Sequence, residues 1–136
     1  LVRGPTVAPG ALSPDGWLHT GDLGGLDERG RLRVSGRAAD TIVSGGENVA
    51  PAEVEAALEA HPQVLEAAVV GRTDPQWGEA VTALVVVRPG AELEADALRA
   101  HCARLLAPYK VPKDYTLSDE PLPRTRSGKL LRRELR

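Results

Sequence analysis

Apolar positions recur along this chain with two different periods, and the switches between them mark out its elements. From Pro51 to Pro62, Val54, Ala57 and Leu58 return at helical spacing and Pro51 suits the first helical position, so the spacing predicts an amphipathic helix. A second helix is predicted from about Ala95 to Leu106, with Leu98, Cys102 and Leu105 on one face. Val64 to Val70 and Val81 to Val87 are short, nearly continuous apolar runs that read as largely buried strands. Between them lies the turn-rich stretch Gly71 to Gly78. Thr41 to Ser44 is an earlier strand, ended by Gly45 and Gly46, and Lys113 to Leu117 a last one. The order βαβ-βαβ predicts an α+β domain, a small sheet flanked by two helices.

The first third of the chain is less regular. Gly4, Pro5, Pro9, Gly10 and Pro14 predict a loop over Leu1 to Pro14. Asp15 to Gly24 and the alternating Arg31 to Ser35 predict two short strands, linked by a turn at Asp27-Glu28-Arg29-Gly30. Gly36 to Asp40 interrupts the pattern, and a joint is expected there. Leu130 onward predicts a short basic helix.

Composition narrows the class without naming a function. The 136 residues fit one domain, or one small domain with an appendage, and 42% hydrophobic with 26% charged residues is ordinary for a globular protein. A net charge of -2 gives no reason to expect a nucleic-acid partner, although Arg124, Arg126, Lys129, Arg132, Arg133 and Arg136 form a local basic patch. No apolar run is long enough to span a bilayer. The lone Cys102 excludes an internal disulfide, reads as a small core residue and points to a reducing, cytoplasmic setting. His19, His61 and His101 lack metal-ligand spacing with Cys102, so no metal site is expected. With no methionine and an opening Leu1, the chain is expected to be a piece of a longer polypeptide.

One turn stands out chemically. In Pro123-Arg124-Thr125-Arg126-Ser127-Gly128-Lys129, Gly128 can adopt the positive φ of a tight turn, which would present the Lys129 ammonium at a loop tip. A point charge so placed suits a phosphate or a carboxylate oxygen gaining negative charge. An ordinary solvated turn is the other reading of the same residues.

Four stretches in order resemble the signatures of the adenylate-forming superfamily of acyl-CoA ligases, luciferases and peptide-synthetase adenylation domains. They are Trp17-Leu18-His19-Thr20-Gly21-Asp22-Leu23, then Gly36-Arg37 through Asp40, then Ser44-Gly45-Gly46-Glu47-Asn48 with Pro51-Ala52-Glu53-Val54-Glu55, and finally the Lys129 turn. The resemblance implies an ATP- and magnesium-dependent joining of a carboxylic acid to AMP, followed by transfer of the acyl group to coenzyme A. It implies that Asp22 accepts both ribose hydroxyls, that Arg37 holds ribose or phosphate oxygens, and that Lys129 is the catalytic lysine of adenylation. A turn residue for Asp22 and a surface ion pair for Arg37 are the alternatives.

The resemblance also divides the chain. Residues 1–36 would be the tail of a large N-terminal AMP-binding domain and 37–136 a hinge with a mobile C-terminal lid. The phosphate loop, the magnesium-binding glutamate and the acyl pocket would lie in the rest of that N-terminal domain, leaving these residues inactive alone. The hinge falls at Ala39, where the family commonly has Asp or Lys, with Asp40 beside it. After adenylation the lid is expected to swing so that a Gly45-Gly46-Glu47 strand lines the pantetheine path, with Trp77 against the coenzyme A nucleotide or else in the core. Lys110 and Lys113 would meet coenzyme A phosphates or simply be solvated. The Tyr109 to Lys113 run, with Ser44 to Asn48, resembles aryl- or medium-chain acyl-CoA ligases, including the o-succinylbenzoate type. A peptide-synthetase lid, disfavoured by the lack of a carrier segment after Arg136, and a non-catalytic binding module for coenzyme A or a partner are the other readings.

Overall fold

The continuous apolar runs of residues 64–70 and 80–87 have no polar side because the sheet they form is covered on both faces. In the computed structural model, which describes residues 1–136, they are the centre of a long antiparallel hairpin. Strand β5 (Val64–Asp74) pairs with β6 (Gly78–Val87) in the register Ala67↔Val85, Val69↔Ala83 and Gly71↔Val81. Ala67, Val69, Val81, Ala83 and Val85 point to one face, where α1 (Pro51–Glu59) contributes Val54 and Leu58 and α2 (Ala95–Leu105) contributes Leu98 and Cys102. Ala68 and Val70 point to the other face and meet Leu122, Leu130 and Leu135 of the C-terminal segment.

The chain separates into two compact units, Leu1–Ala39 and Asp40–Arg136. In the first, β1 (Asp22–Leu26) and β2 (Leu32–Arg37) form a two-stranded sheet with a register shift at Leu23/Gly24. Only glycine fits at residue 24, because a Cβ there would lie 2.5 Å from the Arg33 carbonyl oxygen. The second unit is α+β. Its sheet runs β4 (Glu47–Val49), β3 (Ile42–Ser44), β6, β5, with β7 (Asp114–Ser118) parallel to β6.

Several expectations need correction. Residues 15–21 are not a strand, and the ladder begins only at Asp22; Leu18 makes a lone bridge to Val2. Most of the stretch from Gly71 to Gly78 continues β5 and β6 and leaves a three-residue turn, with Arg72 and Thr73 exposed on opposite faces of this end of the ladder. Strand β4 was not expected. Beyond Leu130 there is only a single 3-10 turn, Arg132–Glu134, since the Leu131 amide is tied to Pro123 O and Leu135 packs on the sheet. Leu105 is exposed, and Leu106, four residues after Cys102, reaches the core instead.

Cys102 is fully buried, and burial pushes its thiol above the usual range, partly offset by a hydrogen bond with Tyr115. A neutral, inaccessible thiol is a poor nucleophile. Ellman's reagent is therefore expected to leave Cys102 unmodified in the folded protein and to react with it once urea is added; labelling without denaturant would contradict this packing.

Candidate functional site

The C-terminal segment builds the Lys129 turn from short-range chemistry. The Thr125 and Leu131 amides donate to Lys129 O and Pro123 O (2.8 and 2.9 Å), and the Gly128 amide closes a tight turn on Thr125 O (2.9 Å). Gly128 adopts φ +83°, the conformation that only glycine accepts cheaply. The Thr125 hydroxyl takes the Lys129 amide at 3.1 Å and shares a hydrogen bond of 2.9 Å with the Ser127 hydroxyl. Arg124 donates to Gly128 O (2.8 Å) and forms an ion pair with Glu66 of β5. The backbone of the turn is thus well tied. The Lys129 side chain projects from it into solvent, as a lysine that meets a ligand must.

Asp22 and Arg37 face each other across the β1–β2 ladder, and Arg37 Nε lies 2.9 Å from Asp22 Oδ1. Arg37 also donates to Thr20 O (3.4 Å), and the Asp22 amide donates to the Thr20 hydroxyl (3.1 Å). Fifteen positions apart in sequence, the two residues are joined by the hairpin register. Asp22 lines a cleft of about 290 Å³ with Thr20, Leu23 and Val34.

Gly45 and Gly46 do not form a strand. They are the two-residue turn of the β3–β4 hairpin, with φ of +60° and +86°, the left-handed pair that a tight antiparallel turn requires. Glu47 opens β4. Trp77 is 36% exposed and so is not a core residue; its ring lies over Gly45, where a Cβ would come within 3.0 Å of it. Trp77 O accepts the Gly45 amide (2.9 Å), Asp74 Oδ1 accepts the Trp77 amide (2.9 Å), and the Lys113 ammonium sits 4.7 Å from the ring centroid. Gly45, Trp77 and Lys113 are therefore one cluster. Lys110 is not simply solvated, for Glu53 holds its ammonium at 2.7 and 2.8 Å and raises its pKa.

The two clusters lie toward opposite ends of the long hairpin. The Lys129 turn is anchored at Glu66 and the Trp77 turn at Asp74; eight residues of strand separate them, about 26 Å at the usual rise. A single ligand atom cannot meet both at once.

Ala39 and Asp40 end a 3-10 turn, Ala38–Asp40, and the boundary between the two compact units falls between them. Asp40 is drawn toward Arg132 (3.7 Å to Nε) and Arg136 (4.0 Å to Nη2). Sequence reasoning missed Arg132. Its guanidinium is held bidentately by Glu55 of α1 at 2.5 and 2.9 Å and donates to Val69 O at 2.9 Å, while Glu55 Oε1 accepts the Val69 amide at 2.8 Å. Partners so far apart in sequence leave no local signal.

His61 and His101 meet edge to face, with ring centroids 5.1 Å apart, and His101 donates to Ala57 O at 2.9 Å. No three His, Cys, Asp or Glu side chains converge as a metal-ligand set.

Residues 53–129 match the family described as AMP-binding enzyme C-terminal domain. The chain belongs to that family. It is 50% identical to a 2-succinylbenzoate--CoA ligase of Bacillus thuringiensis subsp. konkukian, covering all of this chain and 30% of that protein. It is 49% identical to a sulfoacetate--CoA ligase of Cupriavidus necator, covering 98% of this chain and 26% of that protein. Among solved structures, the o-succinylbenzoate CoA synthetase of Bacillus subtilis in complex with its acyl-adenylate intermediate superposes with a TM-score of 0.83 at 43% identity, covering 97% of this chain and 26% of that one. The chain thus spans less than a third of the length of these relatives. As a member of the family it carries the α+β fold expected of an adenylate-forming C-terminal domain. No helix is long and apolar enough to cross a membrane.

Proposed function

We propose that the chain is the C-terminal part of an AMP-forming acid–thiol ligase, with Asp40–Arg136 as the mobile lid and Leu1–Ala39 as the end of the nucleotide-binding domain. The observation that carries this reading is the Lys129 turn, a tied backbone that holds one exposed ammonium at its tip within a chain of this family. Leu26, Leu32 and Val34 of the β1–β2 sheet are 73%, 66% and 63% exposed, an apolar strip that a larger domain would bury.

In the first half-reaction the acid's carboxylate oxygen attacks the α-phosphorus of ATP and the bond to pyrophosphate breaks. Lys129 would lie against the carboxylate and the α-phosphate, where negative charge accumulates and shifts toward the leaving group; it acts by position and charge, not as a nucleophile. Asp22, oriented by Arg37, accepts the ribose hydroxyls, for an ionised carboxylate offers two acceptors to a vicinal diol.

In the second half-reaction the thiol sulfur of coenzyme A attacks the acyl carbon and AMP leaves. The length of strand between the anchors of the two clusters, about 26 Å from Glu66 to Asp74, is the reason to expect a lid rotation between the steps, about a hinge at Ala39 and Asp40. Rotation would replace the Lys129 turn with the Gly45–Gly46 tip, Glu47 and Trp77, where the open side of Gly46 admits a thin pantetheine arm and the indole admits an adenine. Alanine at the hinge position leaves either conformer less tightly latched. Coenzyme A is favoured over a carrier protein because both relatives above are CoA ligases by name. The setting is the cytoplasm, where ATP and coenzyme A are both at hand.

The full-length polypeptide that carries these residues tests the reading. With ATP, magnesium and a panel of aryl and short carboxylic acids it should release pyrophosphate only with its own acid, and form a thioester and AMP when coenzyme A is added. Pyrophosphate release without thioester would move the assignment to a carrier-protein acceptor. Absence of both across the panel, from a folded protein that binds ATP, would favour a non-catalytic module.

A further inference from the structure

Strand β5 ends its sheet, so the outward amides and carbonyls of that strand have no neighbouring strand. At Val69 the missing neighbour is replaced by side chains. Glu55 accepts the amide, Arg132 donates to the carbonyl, and the two are locked together bidentately. Burial and the Glu55 carboxylate act in opposite directions on the guanidinium, and the carboxylate prevails, raising its pKa. Nε, which makes none of these bonds, faces Asp40 at 3.7 Å, so one planar fork is shared by α1, the β5 edge and the first residue of the second compact unit.

Arg132 stands three residues beyond Lys129. The Leu131 amide, directly before it, closes the base of the Lys129 hairpin on Pro123 O at 2.9 Å. Arg124 ties the other arm of that hairpin to Glu66. Past Arg132, the next side chain to tie the outgoing arm to the sheet is Arg72, which donates to Leu135 O at 3.1 Å.

We propose that Arg132 is a positioning residue for Lys129: through Glu55, Val69 and Asp40 it makes the lysine turn, the lid and the residue beside the hinge move as one body. This rests on the adenylating role proposed for Lys129. A lysine at the end of a flexible stem stabilises charge only if its Cα is held, and misplacement by about 1 Å can cost on the order of a hundredfold in rate. A lysine at residue 132 would keep the charge but lose the fork that satisfies Glu55 and Val69 together.

The test uses the full-length polypeptide with Arg132→Lys, and reads each half-reaction separately together with backbone hydrogen exchange. Expected are a loss of acyl-adenylate formation of about tenfold to a hundredfold in kcat, thioester formation from supplied adenylate within about twofold of wild type, and faster exchange across residues 123–131 with α2 unchanged. Adenylation at the wild-type rate, an equal fall in both half-reactions, or unchanged exchange across 123–131 would each overturn the proposal. An equal fall is what a merely structural role predicts. Should Arg132→Lys fail to fold, Glu55→Gln, which preserves shape while weakening the bidentate pair, carries the same expectations. Lys129→Ala is run beside them. If it adenylates normally, the reading of Lys129 is lost, and the exchange of 123–131 alone decides whether Arg132 anchors that turn.

Discussion

Replacing Lys129 with alanine in the full-length polypeptide is expected to lower acyl-adenylate formation by about a hundredfold to a thousandfold, the usual loss when one preorganised charge aimed at a transition state is removed. Folding should be untouched. The Lys129 side chain is exposed, while the turn that carries it is held by backbone groups, Thr125 and Arg124, all of which remain. Thioester formation from a supplied acyl-adenylate should be nearly unchanged, because the cluster assigned to that step lies at the other end of the hairpin. Separate assays of pyrophosphate release and of thioester formation check this. Equal loss of both steps would refute the division of labour between the two clusters.

The largest effect on stability is expected from Leu58→Ala. Leu58 is completely buried on α1, against the face of the sheet that carries Val69, Val81 and Ala83. Truncation removes apolar contacts and leaves a cavity that two helices on a rigid sheet cannot close, at a cost of about 2–5 kcal/mol. A small domain has little more than that in reserve. The midpoint of urea unfolding of the Asp40–Arg136 unit should fall steeply, with the slope unchanged. A loss below about 1 kcal/mol would mean that α1 repacks freely, contrary to the close-packed core described here.

These two residues were legible in different ways. Leu58 announced itself by period: with Val54 and Ala57 it repeats at helical spacing, and a helix with one apolar stripe has to bury it. Lys129 announced itself by turn chemistry, since glycine before it allows the positive φ that lifts a side chain off a loop. The ordered motifs then indicated the family, which the match over residues 53–129 shows. Element ends were less legible. Leu105 and Leu106 are both apolar, and only the position of the sheet decides which one is covered.

The sequence by itself determined the buried face of α1, the two central strands, the β3 strand, the glycine turns and the presence of a candidate lysine. All of these follow from interactions within a few residues, where period, proline and glycine act directly on the backbone. Only the tertiary structure decided that Gly45 and Gly46 turn a hairpin beneath Trp77, that Asp22 pairs with Arg37, and that Arg132 finishes the exposed edge of β5 with Glu55. Such pairings join residues 15, 32 or 77 positions apart, as Asp22–Arg37, Gly45–Trp77 and Glu55–Arg132 do, and no local pattern encodes them. They form because a strand edge and a half-buried charge must find a partner, and which partner is nearest is settled only when the sheet is folded.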